Sequence, residues 1–203
     1  MRKIISMMSV SLDGFIEGPN GELDWHMISD ELAAHFNDRL GPMGGFLDGR
    51  VTYELMAGYW PTADADPGAP AAVAEFARIW RDMPKIVYSR TLERAGWNTT
   101  VVREVVPEEV TRLKAQPGGD LVLGGADLGA AFRQFDLIDE YWIYVHPILI
   151  GRGKPLFQSP GSMTSAISLR LAATRIFGNG VVLLDYQRPG AGAQAGAEAA
   201  ARA

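Results

Sequence analysis

Three short stretches carry residue types that bind anions, and each follows an apolar run. Gly49-Arg50-Val51-Thr52 sets a glycine, a guanidinium and a hydroxyl at the start of a helical pattern. Ser89-Arg90-Thr91 comes after "KIVY", and Gly124-Gly125-Ala126-Asp127-Leu128 comes after "DLVL". A diphosphate is bound by backbone N–H groups at helix starts, with glycine where the main chain must come close. A phosphate monoester on a ribose is bound by a hydroxyl and an arginine. Taken singly, each stretch is also ordinary turn chemistry. Three such corners in one chain point to one extended phosphorylated ligand lying across them.

A second set sits in "LDWHMISDELAAHF", which holds Asp24, Trp25, His26 and Asp30. Where negative charge develops at a reacting centre, a nearby carboxyl group supplies or steers a proton. Asp30 fits that role, and it equally fits a helix cap beside Ser29. Trp25 reads as core or as a platform for a flat compound. His26 reads as a loop residue, and Asp13 in "SLDG" is half of a turn dipeptide. The histidines at 26, 35 and 146 share no metal-ligand spacing and the chain has no cysteine, so no metal is expected.

The elements that must position these groups can be read from periodicity. The chain has 203 residues, 47% of them hydrophobic, and a net charge of −5. That size suits one domain with a substantial core. The negative balance and scattered basic residues argue against nucleic-acid or anionic-membrane partners, and no apolar run nears the roughly 20 residues of a membrane span. A cytoplasmic location is the default. Strands are predicted at "IISMMSV", "GGFLDG", "KIVYS", "TTVVRE" and "DLVLGG", and at "YWIYVHPILI", "SLRLAATRIF" and "GVVLLDY". Helices are predicted at "SDELAAHFNDRL", after Gly49, around Val73 to Trp80, at "PEEVTRLKA" and after Gly125. "GNG" at Gly178 to Gly180 marks a hairpin. From Pro189 to residue 203 the alanine- and glycine-rich tail reads as disordered, leaving 1–188 as the folded domain. This order predicts a three-layer αβα fold, with a mostly parallel central sheet and an antiparallel C-terminal edge strand. Ligands in such sheets lie beyond the carboxyl ends of the strands.

With these residues in place, the chain resembles the dihydrofolate reductase-like superfamily from about Arg2 to Arg188. "GRVTYE" resembles its G-R-x-T-W/Y-E signature, "VYSR" its strand-end serine and arginine, and "LGGADLGAAF" its glycine pair before a helix. "SLDGFI" and "HPILIGRGKPLF" are more similar to the reductase domain of the bifunctional riboflavin-biosynthesis deaminase–reductase. The resemblance implies NADPH across the strand ends. Gly49, Arg50 and Thr52 would hold cofactor phosphates, and Ser89 and Arg90 the 2′-phosphate. Gly124, Gly125, Ala126, Asp127 and Leu128 would form the glycine-rich helix start beside the nicotinamide. Trp25 and Asp30, five residues apart, have the spacing of the tryptophan and acid of dihydrofolate reductases. Asp13 would orient the loop at the nicotinamide. A homodimer is also implied, with "YWIYVHPILI" as a possible surface.

Phe15 stands where the riboflavin-type reductase usually has lysine, and Leu123 where it tends to have glutamate. A flatter, less charged substrate is therefore expected than a phosphorylated ribosyl compound. Arg152 and Lys154 sit in a glycine-rich loop that the resemblance places near the active site. The leading expectation is an NADPH-dependent reductase of a small heterocyclic or carbonyl- or imine-containing compound. The alternatives are a riboflavin-pathway pyrimidine intermediate reductase and a nucleotide-binding scaffold without turnover.

Overall fold

The computed structural model describes residues 1–157 and 166–189. The predicted tail, apart from Pro189, lies outside the described residues. The order of elements begins β1 (Ile4–Ser11), β2 (Phe15–Glu17), α1 (Asp30–Leu40), β3 (Gly45–Gly49), α2 (Arg50–Tyr59) and α3 (Ala71–Asp82). It continues β4 (Lys85–Tyr88), β5 (Thr99–Val102), α4 (Pro107–Ala115), β6 (Leu121–Gly124), α5 (Ala126–Gln134) and β7 (Glu140–His146). It closes with β8 (Lys154–Pro155), β9 (Arg170–Ile176) and β10 (Val182–Gln187). Eight strands form one sheet in the order β5-β4-β3-β6-β1-β7-β10-β9. The pairings from β5 to β7 are parallel, and β10 runs antiparallel to both β7 and β9. This is the three-layer, mostly parallel arrangement with an antiparallel C-terminal edge.

The connections explain where a crevice must open. From β3 the chain passes through α2 and α3 to β4, its neighbour on one side, whereas from β6 it passes through α5 to β7 in the other direction. β3 and β6 are themselves paired, with Asp48 opposite Gly124. Two adjacent parallel strands that send their helices opposite ways leave a gap outside their carboxyl ends. One face packs Leu47, Leu123 and Ile143 with Phe132 of α5 and Val110 of α4. The opposite face packs Phe46, Val122 and Val87 with Phe76 and Trp80 of α3 and Leu40 of α1.

Local chemistry sets the helix ends. Ser29 caps α1, its Oγ accepting from the Leu32 N–H at 3.3 Å, and Asp30 is the exposed first helical residue. Proline opens α4, followed by Glu108 and Glu109 in its first turn, as the pattern predicts. Arg39 anchors α1 to the sheet: its guanidinium donates to Asp185 of β10 at 2.9 Å and lies 4.0 Å over the Trp142 ring. The hairpin between β9 and β10 closes at Gly178 to Gly180, where Gly180 has φ 85°.

Two features depart from the sequence reading. β2 and β8 pair into a separate two-stranded sheet that the periodicity does not signal, because each strand is only two or three residues long. Of the apolar stretch 141–150, the part within β7 is buried between β1 and β10, and only the residues beyond the strand, such as exposed Leu149, remain at the surface. The exposed apolar edge is β9, which carries Leu171 and Ile176. Phe15 lies on β2, and Leu123 is a core residue of β6. Neither lines the cavity described below, so the expected apolar replacement of substrate-handling groups does not fall on its wall.

The Arg39–Asp185 pair is partly shielded from water, so breaking it strands a desolvated charge. Asp185→Ala should lower unfolding free energy by on the order of 3 kcal/mol in urea denaturation. Removal of the exposed Arg50–Glu54 pair by Arg50→Ala should cost less than about 1 kcal/mol in the same measurement. Equal losses from the two changes would contradict this division.

Candidate active site

The three corners predicted from sequence meet along the carboxyl ends of β3, β4 and β6. Gly49 is the N-cap of α2 and Gly125 the N-cap of α5, and neither helix start has a side-chain cap. The first-turn N–H groups of both helices are therefore left for another partner. The two starts are close, because a Cβ placed on Gly49 would touch the Leu128 Cβ at 4.0 Å. The glycine pair has a steric cause. A Cβ on Gly124 would come 2.7 Å from Asp48 Oδ1, and one on Gly125 would come 2.8 Å from Thr52 Oγ1. Gly125 also holds φ 89°, which only glycine adopts without strain.

Each predicted cofactor residue has a definite place. Thr52 faces the cavity, while Arg50 is exposed and paired with Glu54 at 2.7 Å. Ala126 and Leu128 bury their side chains in the core, so only their main chain can meet a ligand. Asp127 is exposed and pairs with Lys154 at 2.7 Å, tying β8 to the start of α5. Ser89 is buried, and its Oγ accepts from the N–H groups of Thr91 and Leu92. Arg90 is exposed and has no side-chain partner among the described residues, which leaves its guanidinium available. Arg103 braces this corner by donating to the carbonyls of Ser89 and Leu92. Its place on the neighbouring strand end was not legible from the local motif.

The residues expected to do chemistry are less well placed. Asp13 accepts from Ser11 Oγ at 2.6 Å and from the N–H groups of Ile150 and Gly151, which holds its carboxyl below the usual range. It ties the turn after β1 to the loop after β7, a positioning role. Trp25 is buried against His26 and His146, with ring centroids 4.2 and 5.4 Å away, and its Nε1 donates to the Glu22 carbonyl. It is a loop anchor and no platform for a flat ligand. Asp30 does not line the cavity, although Ala33, one turn further along α1, does. His26 does line it; burial depresses the tendency of its imidazole to charge, and its Nε2 has no partner among the described residues.

A cavity of about 550 Å³ opens beneath the α2 and α5 starts. Phe36, Met56, Trp60 and Phe76 form much of its wall. Ile28, Val51 and Leu55 line it while remaining exposed, and mark its mouth. At its floor lies Asp48, only 5% exposed. Burial pushes this carboxyl up to about 7, although the Lys85 ammonium opposes the rise. Lys85 is itself buried, donating to the carbonyls of Met83 and Trp97 and lying 4.2 Å from the Trp80 ring. Desolvation lowers its pKa to about 8. An acid inside the apolar run "GFLD" and a lysine opening "KIVY" were the sequence signals for this pair, but both also fit strand ends.

Comparison with known proteins bears on the family and the fold. A family model described as the RibD C-terminal domain matches residues 2–183. The chain belongs to that family. It is thereby a member of a reductase-like group. It is 36% identical over 186 residues to the uncharacterized protein YyaP of Bacillus subtilis (strain 168), covering 91% of this chain and 94% of that one. A crystal structure of a putative riboflavin biosynthesis protein from Shewanella sp. PV-4 is similar with a TM-score of 0.67 and 24% identity, covering 92% of this chain and 99% of that one. Dihydrofolate reductase from Enterococcus faecalis, complexed with NADP(H) and RAB-propyl, is similar with a TM-score of 0.59 and 15% identity, covering 92% and 96% of the two chains. The last two likenesses bear on the fold, which is dihydrofolate reductase-like.

The raised Asp48 pKa has a consequence for stability. Between its ordinary value of 3.8 and about 7, the folded state holds a proton that the unfolded state has lost. Stability therefore falls as pH rises through that window, and the full cost is present above about pH 7. Asp48→Asn removes the ionisation. The variant should gain about 1–4 kcal/mol over the parent chain at pH 8, and less than half of that at pH 5, in urea denaturation. The same difference at both pH values would refute it.

Proposed function

We propose that the protein is a reductase that uses NADPH to reduce a small heterocyclic or carbonyl- or imine-containing compound bound in the cavity. The observation that carries this reading is the pair of uncapped helix starts, α2 and α5, side by side where the strand connections diverge. The glycine pair keeps that corner free of side chains, and the cavity begins directly beneath it. The residues present fit a dinucleotide. First-turn N–H groups of both helices would meet the diphosphate, with Arg50 beside it. Ser89 and Arg90 would meet the 2′-phosphate, with Arg103 holding their backbone in place. Once bound, the reduced nicotinamide supplies the hydride.

The chain's own residues then have separate tasks. Thr52, Gly124 and Gly125 border both the helix starts and the cavity, so they join the cofactor and substrate spaces. Asp13 positions the loop after β7, and Trp25 positions the loop that brings His26 to the cavity wall. Asp30 keeps a candidate role beside the mouth. The homodimer implied by family resemblance belongs to this proposal too, with the exposed edge strand β9 as the available surface.

Arg90→Ala should weaken NADPH binding by roughly tenfold, the scale of one lost charge-assisted contact, and leave NADH binding nearly unchanged. Fluorescence titration of both cofactors measures this. Equal losses for the two, or no binding of either by the parent chain, would overturn the assignment.

A further inference from the structure

The cavity has a pronounced charge asymmetry. Among its described lining residues are two acids, Asp48 and Glu17, and no lysine or arginine. Two of the neutral polar groups of the wall are committed within the protein, whereas the hydroxyls of Ser9 and Thr52 and the His26 Nε2 are not, among the described residues. Asn37 Nδ2 donates to the Ala72 carbonyl and to Glu75 Oε2, and the Tyr144 hydroxyl pairs with His35 Nε2 at 3.1 Å. Asp48 differs. Its carboxyl accepts no hydrogen bond and forms no ion pair among the described residues, although the residue is 5% exposed. The nearby Lys85 ammonium is turned to the carbonyls of Met83 and Trp97.

A buried carboxylate without a hydrogen-bond donor costs free energy until a partner arrives. The surrounding wall favours one kind of partner. Phe36, Trp60 and Phe76 contribute aromatic rings to the wall, and such rings stack on flat compounds and attract cations to their faces. An anion would meet two acids and no compensating cation. A volume of about 550 Å³ is in the range of sites that enclose a small organic molecule.

We propose that this cavity takes a flat organic cation, an aromatic or heteroaromatic compound with a protonated nitrogen, and that the Asp48 carboxylate is its counter-charge. The proposal deepens the reductase reading, on which it rests for calling the occupant a substrate.

The test is calorimetric titration of the full chain at pH 8 with three two-ring probes: 4-aminoquinoline as the cation, quinoline as the neutral ring and 2-naphthoate as the anion. The cation should bind roughly tenfold more tightly than quinoline, and the anion more weakly than either. In Asp48→Asn the cation should lose that advantage while quinoline binds as before, and a thermal scan of the variant shows that it is folded. Cation and neutral probe binding alike to the parent chain would overturn the proposal, whatever the variant does. So would a cation preference that survives Asp48→Asn, or displacement of the probe by NADPH. If the cation preference holds but NADPH fails to bind, the reductase reading falls and the cation site stands.

Discussion

The close approach of β3 and β6 is the constraint on which the rest depends. Residues 50–120, with three α-helices, separate these strands in sequence, yet Asp48 and Gly124 are opposite each other in the ladder. At that register any side chain on Gly124 or Gly125 would collide with Asp48 or Thr52. The glycine pair therefore does more than allow a turn. It lets two helix starts stand shoulder to shoulder, one leading to each face of the sheet, and their unsatisfied N–H groups add at one place.

That arrangement divides the site electrostatically. Above the strand ends the exposed arginines 50, 90 and 103 and the two helix N-termini make a region suited to phosphate. Below them the cavity is apolar and acidic. The boundary is only the thickness of the Gly124-Gly125 backbone and the Thr52 side chain. A ligand spanning both regions would need to be anionic at one end and neutral or cationic at the other. The low dielectric of the lower region is what keeps the Asp48 proton bound to unusually high pH.

Much of the fold was legible because the local signals were strong. Pro107 with its acidic first turn, Ser29 before α1 and the Gly178 to Gly180 hairpin each act within a few residues, and local chemistry decided them. The three corners were legible as well, since each is a strand end followed by its own motif. What stayed hidden depends on pairing between distant segments. β2 and β8 exist because Gly153 lets the backbone pass against the Glu17 carbonyl, where a Cβ would overlap it. Trp25 read as core or as a platform, and only the distant His146 of β7, meeting it edge-to-face, shows it buried in the loop. Asp48 looked like the last polar residue of a strand, and only the packing of α1, α2 and α3 over that sheet face shows it to be enclosed.

The loop that brings Leu23, His26 and Ile28 to the cavity is secured from far along the chain. The Met27 N–H donates to His146 Nδ1 at 3.1 Å, and Asn179 Nδ2 donates to the Met27 carbonyl at 2.6 Å. Glu31, at the start of α1, accepts from Arg175 and from the Gly178 N–H. During synthesis the ribosome releases this loop early, but its fasteners emerge late, His146 with β7 and the others with the β9–β10 hairpin. The three strand-end corners are complete once β6 and α5 are made, whereas the loop that borders the cavity is fully fastened only when the β9–β10 hairpin docks.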